Sequence, residues 1–440
     1  MLDRYNVTMG FYEPAIFHLH TRGEGKLRNM DYWCTEQKST FLHEYIHFLQ
    51  DITTIQGLNN FFIRGEYIRY VTQKVKQSST KEISVPLNPF EAGHNVDQNW
   101  MAHCITMGTT TPVETAVAYS KKHLGYLVDY NDDKRIPLNV INIECKTWEQ
   151  KKIEVTLGTI HMMEGMAKLI QELVYPTPKR QSPYNPYYIA HDVANMIIPG
   201  LSAEPYTMIA LFDLALQSSN PGWAFVDYLE KKAAIGYNSK SLTADIIYTD
   251  LKNYVMNISS LGHLPFQDAY QLFVNGAEDV MTEYLGGVWV WKNIDRWFKT
   301  IIRRGRDLRF NNPILFQLLA KEGDIATNKI FIQVLKEFGT PVVTNSIHNF
   351  DFISPQNVYV VMRELINVYA MMQIHQVFLS NGKFTCPLKK YCQNKLCGIN
   401  KHWVNKTCVK QPWMRMQKWN RCYFSTWWYF KGFKDVRIIN

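Results

Sequence analysis

His43, Glu44 and His47 lie within Thr40-Phe41-Leu42-His43-Glu44-Tyr45-Ile46-His47-Phe48-Leu49-Gln50-Asp51 and have the types and spacing to activate a water molecule. On a helix, two histidines four positions apart project from one face a single turn apart, so both imidazoles can hold the same metal ion. Glu44 then stands beside that ion as a base for a water the ion acidifies. The plainer alternative is an amphipathic helix with two hydrogen-bonded core histidines.

A catalytic metal needs a third protein ligand and keeps a position for water. The run Leu157 to Glu172 offers two candidates, His161 and Glu164, three positions apart on one helical face. Glu164 could instead be a surface or capping carboxylate, and His161 could be the ligand itself or a partner of one. Tyr187, Tyr188 and His191 follow soon after, and any of them could donate to a developing oxyanion or simply pack.

A third set of ligand-type residues sits in the tail. Of eight cysteines, Cys386, Cys392, Cys397, Cys408 and Cys422 fall in the last 55 residues. In a chain whose first residues show no basic-then-apolar signal pattern, such a cluster reads as metal binding before disulfides. Cys386, Cys392, Cys397 and Cys408 supply four thiolates for a second, structural zinc, with His402 or Cys422 as substitutes. The spacing fits an iron–sulfur cluster less well, and reduced free thiols are the plain alternative. Residues 381–440 hold ten lysines and three arginines against the single acid Asp435, a balance of +12 in a chain of net +9. Trp413, Trp419, Trp427, Trp428 and Tyr429 are interleaved there with Arg415, Lys418, Arg421 and Lys431. That mixture suits single-stranded nucleic acid, or, more simply, a Trp-rich core with a solvated basic rim.

These residues need elements to hold them. Phe41, Leu42, Tyr45, Ile46, Phe48 and Leu49 predict a buried helix around the two histidines, with Thr35 or Ser39 as its cap and Gly57 as its stop. Tyr5–Met9 and Ala15–His20 read as strands on either side of Gly10 and Pro14, and Asn59–Val75 as a second helix. Residues 76–100 read as a long loop, and a helix is expected from about Pro112 to Tyr126. Asn131-Asp132-Asp133 signals a turn between that helix and the strands Leu138–Ile143 and Lys152–Thr156. A helix capped near Thr159 carries His161 and Glu164. Pro176, Pro178, Pro183 and Pro186 mark a connection, beyond which helical stretches dominate, among them Thr243–Ile258 and Pro355–Leu379.

HExxH followed by a helix with Glu164-Gly165-Met166-Ala167 resembles the gluzincin group of zinc metallopeptidases. The resemblance implies His43, His47 and Glu164 as zinc ligands and Glu44 as general base. It covers about nine residues, so it speaks for a site and not for a substrate. The chain departs from the group in placing Glu164 117 positions after His47, in Met163 where the aminopeptidase branch has Asn, and in Lys168 where thermolysin-like enzymes have Asp. Gln50 and Thr53 stand where a metzincin needs Gly and His. A carboxylate-bridged di-iron site would need a second Glu-x-x-His on a helix. Glu91-x-x-His94 lies in a loop-like stretch, and His161-x-x-Glu164 has the reverse order.

The expected architecture is therefore α+β and predominantly helical. It comprises a zincin-like catalytic domain over 1–180, an all-helical domain over 181–380, and a small basic, Cys-rich module over 381–440. The expected function is zinc-dependent hydrolysis of a protein or peptide in the cytoplasm. The alternative is a nucleic-acid-binding or sensor protein that uses the basic tail, with a structural or non-peptidase metal site at HExxH. No uninterrupted apolar run reaches 18 residues, so no membrane span is expected.

Overall fold

The computed structural model describes residues 10–15, 17–88, 94–128, 135–176, 182–258, 262–285, 292–321, 323–346, 350–374, 376–380, 382–393, 404–417 and 422–439. Strands β1 (Gly10–Glu13) and β2 (His18–Thr21) form an antiparallel hairpin in which Gly10 faces Thr21 and Glu13 faces His18. Gly10, expected between strands, thus begins one, and the expected strand Tyr5–Met9 lies outside the described residues.

Helix α1 (Thr35–Thr53) carries the HExxH run, and every residue from Lys38 to Thr53 is buried. A helix enclosed on all sides sits at the centre of the fold, and its polar side chains need partners inside the protein. It ends where Thr54 turns extended and uses its hydroxyl to accept from the Gly57 N–H, capping α2 (Ile55–Gln77). Gly57 is therefore in the first turn of α2 and does not stop α1. The reason is the threonine, whose cap starts a new helix one residue after the old one ends.

The stretch 76–100 is not wholly loop, because it contains β3 (Glu82–Ser84) and the start of α3 (His94–Met107). The helix expected from about Pro112 is instead β4 (Thr115–Val128), the outer strand of an antiparallel sheet with β5 (Arg135–Lys146) and β6 (Lys152–Leu157). The ladder to β5 runs from Thr115 opposite Lys146 to Val128 opposite Arg135 and satisfies the backbone that a helix would have satisfied internally. The expected turn at Asn131–Asp133 lies outside the described residues.

β6 passes through Gly158 into α4 (Thr159–Val174), which buries Met162, Met163, Met166, Ala167 and Ile170. Next come α5 (Tyr184–Tyr187), α6 (Ile189–Ile197), α7 (Pro205–Ala215) and α8 (Pro221–Ala234). The expected helix Thr243–Ile258 is cut short: α9 (Ala244–Lys252) gives way to a hairpin of β7 (Val255–Ile258) and β8 (Gly262–Pro265). Then follow α10 (Phe266–Leu285), α11 (Lys292–Asn311), α12 (Leu315–Lys321) and α13 (Lys329–Phe338). Strands β9 (Val342–Thr344) and β10 (Phe350–Asp351) precede α14 (Met362–Ile374) and α15 (Gln376–Leu379), so the helix expected from Pro355 starts at Met362. The tail adds α16 (Lys389–Gln393), α17 (Lys406–Lys410), α18 (Tyr423–Phe430) and β11 (Arg437–Ile439).

The fold is mixed α and β, predominantly helical with small sheets. Three long-range arrangements position α1. β9 pairs in parallel with β2, giving the sheet order β1-β2-β9-β10, and the Thr344 hydroxyl lies 2.8 Å from His18 Nε2 and 3.0 Å from His20 Nδ1. α4 packs on α1 from one side and on α7 from the other. α11 crosses α1 so closely that a Cβ on Gly305 would come within 2.0 Å of the Ile52 carbonyl oxygen. Buried apolar side chains form one cluster from Tyr12 to Val436, with contacts crossing both residue 180 and residue 380. In the tail, β11 pairs with β3 and α18 packs on α14.

Candidate metal centre

α1 and α4 bring His43, His47 and Glu164 together, with ligand atoms all within 4.8 Å of one another. The Glu164 carboxylate lies 3.0 Å from His43 Nε2 and 3.4 Å from His47 Nε2, and the two Nε2 atoms are 3.3 Å apart. A tetrahedral ion with bonds of about 2.0–2.1 Å holds its ligand atoms roughly 3.3 Å apart, so the triangle has the dimensions zinc requires. Both histidines are buried, and Glu164 is partly so. This is the only such group of three among the described residues.

Glu44 is buried within the electrostatic reach of the same group, for His47 and Glu164 both act on its carboxyl. It is 6% exposed, and a Cβ on Gly10 would lie 2.9 Å from its Oε1. Only a glycine lets β1 pass over this carboxylate. Tyr12, also on β1, lays its ring over His47 with centroids 6.4 Å apart.

Burial and mutual attraction compete at every titratable group of the site. Burial pushes the Glu44 carboxyl up to about 8, with His47 opposing. Glu164 is held far below the carboxylate range because His47 and His43 outweigh its burial. Burial disfavours a charged His47, yet Glu164, Glu44 and Gln50 together raise it to about 9, while burial lowers His43. Two carboxyl groups enclosed with two imidazoles are costly to charge unless each charge is paired inside the site, so a positive charge among them is favoured. A divalent ion can supply that charge.

His161 is not in the triangle. Its Nδ1 accepts from the Gly158 N–H at 3.0 Å and its Nε2 is 2.9 Å from Asn185 Oδ1, while Asn185 donates to the carbonyls of Thr109 and Thr111. Burial lowers it to about 4, so it is a neutral brace for the turn that carries Tyr187. Of the three residues following α4, Tyr187 stands at the site, its ring 6.0 Å from that of His43. Burial, then Glu164 and Glu44, hold its phenol protonated. Tyr188 donates to Glu172, and His191 packs on Phe212. The sequence reading did not single out Gln50 as a member of the site, although its place one turn after His47 was a signal.

The tail cysteines are arranged differently. Cys386 N–H donates to the Cys408 carbonyl, and Arg415 donates to Cys408 Sγ at 2.8 Å. Burial pushes the Cys386 thiol up, with Cys422, Cys392 and Cys408 adding to it. Among the described residues no three of these sulfurs reach ligand spacing, and Cys397 and His402 lie outside the described residues. Trp413, Trp427 and Trp428 are buried, with Trp428 stacked on Phe378 at 5.5 Å and on Trp413 at 5.7 Å, so these rings form core. Trp419 lies outside the described residues, and no helix among those residues is long and apolar enough to cross a membrane.

No protein family, curated protein or solved structure matches the chain.

Proposed function

We propose that the chain is a zinc-dependent peptidase whose centre is His43, His47 and Glu164, with Glu44 as the base. The carrying observation is the ligand-sized triangle of these three side chains with the Glu44 carboxylate enclosed beside it. Zinc held there would polarise a substrate carbonyl and acidify a water. Glu44 takes the proton from that water at a carboxylate oxygen and hands it to the departing amine. Its burial favours this, because an enclosed carboxylate binds a proton more tightly than an exposed one. Tyr187, kept protonated beside the site, has a phenol O–H to offer a developing oxyanion.

A peptide is the favoured substrate because β1 is the outermost strand of its sheet among the described residues and runs past Glu44 at Gly10. An extended chain laid along β1 would present its backbone next to the base. Glu44→Gln tests the reading: hydrolysis of an unfolded protein such as casein should fall by about 10²–10⁴-fold while zinc stays bound. Equal hydrolysis by the variant and the wild type would end it.

A further inference from the structure

We propose that Gln50 is the positioning residue of this centre, a single side chain that orients one ligand and ties down the helix that supplies another. The inference rests on the reading of His43, His47 and Glu164 as ligands. Gln50 is 1% exposed and lies between α1 and α4. Its Nε2 donates to the Met163 carbonyl at 3.1 Å, and its Oε1 is 2.8 Å from His47 Nδ1.

The carbonyl settles which way the amide points. A carbonyl oxygen only accepts, so the NH2 must face Met163 and the oxygen must face His47. His47 Nδ1 therefore carries a hydrogen and donates it, whether or not Nε2 also carries one. In the neutral imidazole that a metal requires, the Nε2 lone pair then faces Glu164 and His43. An outer partner of this kind fixes the tautomer and the ring plane of a ligating histidine. Gln50 differs from an ordinary partner in its second bond. Met163 immediately precedes Glu164, so the same amide sets the height of α4 against α1 at the third ligand. His43 has no counterpart, since its Nδ1 is buried without a hydrogen-bond partner among the described residues. One amide thus carries the alignment of two ligands out of three.

The test is zinc affinity of the full chain, measured by competition with a chromogenic chelator, beside far-UV circular dichroism of the zinc-free forms. Gln50→Met keeps the volume and removes both bonds, and Gln50→Glu keeps the acceptor for His47 while losing the donor to Met163. Gln50→Met should bind zinc about 10–100-fold more weakly with unchanged helicity, and Gln50→Glu should fall between it and the wild type. In the cobalt-substituted protein the visible d–d bands should shift in Gln50→Met, a change that loss of packing away from the metal would not produce. If Gln50→Met fails to fold, Gln50→Glu still decides: affinity equal to the wild type overturns the bridging role. Zinc affinity of Gln50→Met equal to the wild type overturns the inference alone. Wild-type zinc uptake that survives His43→Ala removes the site itself, and the inference with it.

Discussion

Replacing Arg309 by methionine should destabilise the fold more than any loss of surface charge could. Arg309 extends from α11 one turn beyond Gly305 and is 4% exposed. Its guanidinium donates to both carboxylate oxygens of Asp213 on α7, at 2.6 and 2.7 Å, and its Nε donates to the carbonyl of Thr53, the last residue of α1, at 2.9 Å. Asp213 is 0% exposed and also receives bonds from Tyr248 and Gln217. Removing one partner of a buried pair leaves the other charge enclosed, which costs about 3–5 kcal/mol, whereas replacing both by apolar groups costs far less. Arg309→Met and Asp213→Leu should therefore each shift the urea midpoint strongly, and the double variant should recover at least 2 kcal/mol, roughly, of their summed loss. Urea unfolding at neutral pH followed by circular dichroism reads all three. A loss below about 1 kcal/mol for Arg309→Met, or strict additivity in the double variant, would refute the reasoning. Because the same guanidinium holds the end of α1, Arg309→Met should also weaken zinc binding.

Glu164→Ala should lower zinc affinity severely, and His161→Ala should leave it within about ten-fold, because His161 braces Asn185 and does not face the triangle; chelator competition on both variants checks the ranking. Asp51 gives a pH prediction. Burial raises its carboxyl from 3.8 to about 6 despite hydrogen bonds from Ala15 and Tyr12. The folded state thus binds this proton more tightly than the unfolded chain, so the contribution is full below about pH 4 and is lost as pH rises through about 6. Relative to Asp51→Asn, the wild type should lose on the order of 1 kcal/mol between pH 5 and pH 7.5, read from urea midpoints. A pH-independent difference would contradict this.

The helix around His43 and His47 was legible because its apolar residues recur at helical spacing, and α1 covers the run as expected. Glu164 was legible only through the gluzincin resemblance, since nothing local says which of two residues on one helical face points inward; packing of α4 between α1 and α7 makes that choice. β4 was misread because Pro112 suggested a first helical turn, while the strand is set by its ladder to β5, which continues through register shifts at Val117 and Leu124 to Tyr126 opposite Pro137. Gln50 had appeared only as a mismatch to another pattern, because a side chain's second hydrogen bond, here to Met163, depends on a helix more than 100 positions away. The parallel pairing of β9 with β2 was invisible for the same reason.

That pairing bears on how the protein comes into being. Thr344 seats His18 and His20, and the hairpin they belong to holds Gly10 over Glu44. At about 5–20 residues per second, a ribosome that has made α1 needs roughly 15–60 s more to deliver β9. During that time the nascent chain owns His43, Glu44 and His47 but not the sheet that packs beside them. On the proposed peptidase reading the chain should be inert on the ribosome, and a truncated product ending before Val342 should be inert too, however well α1 forms.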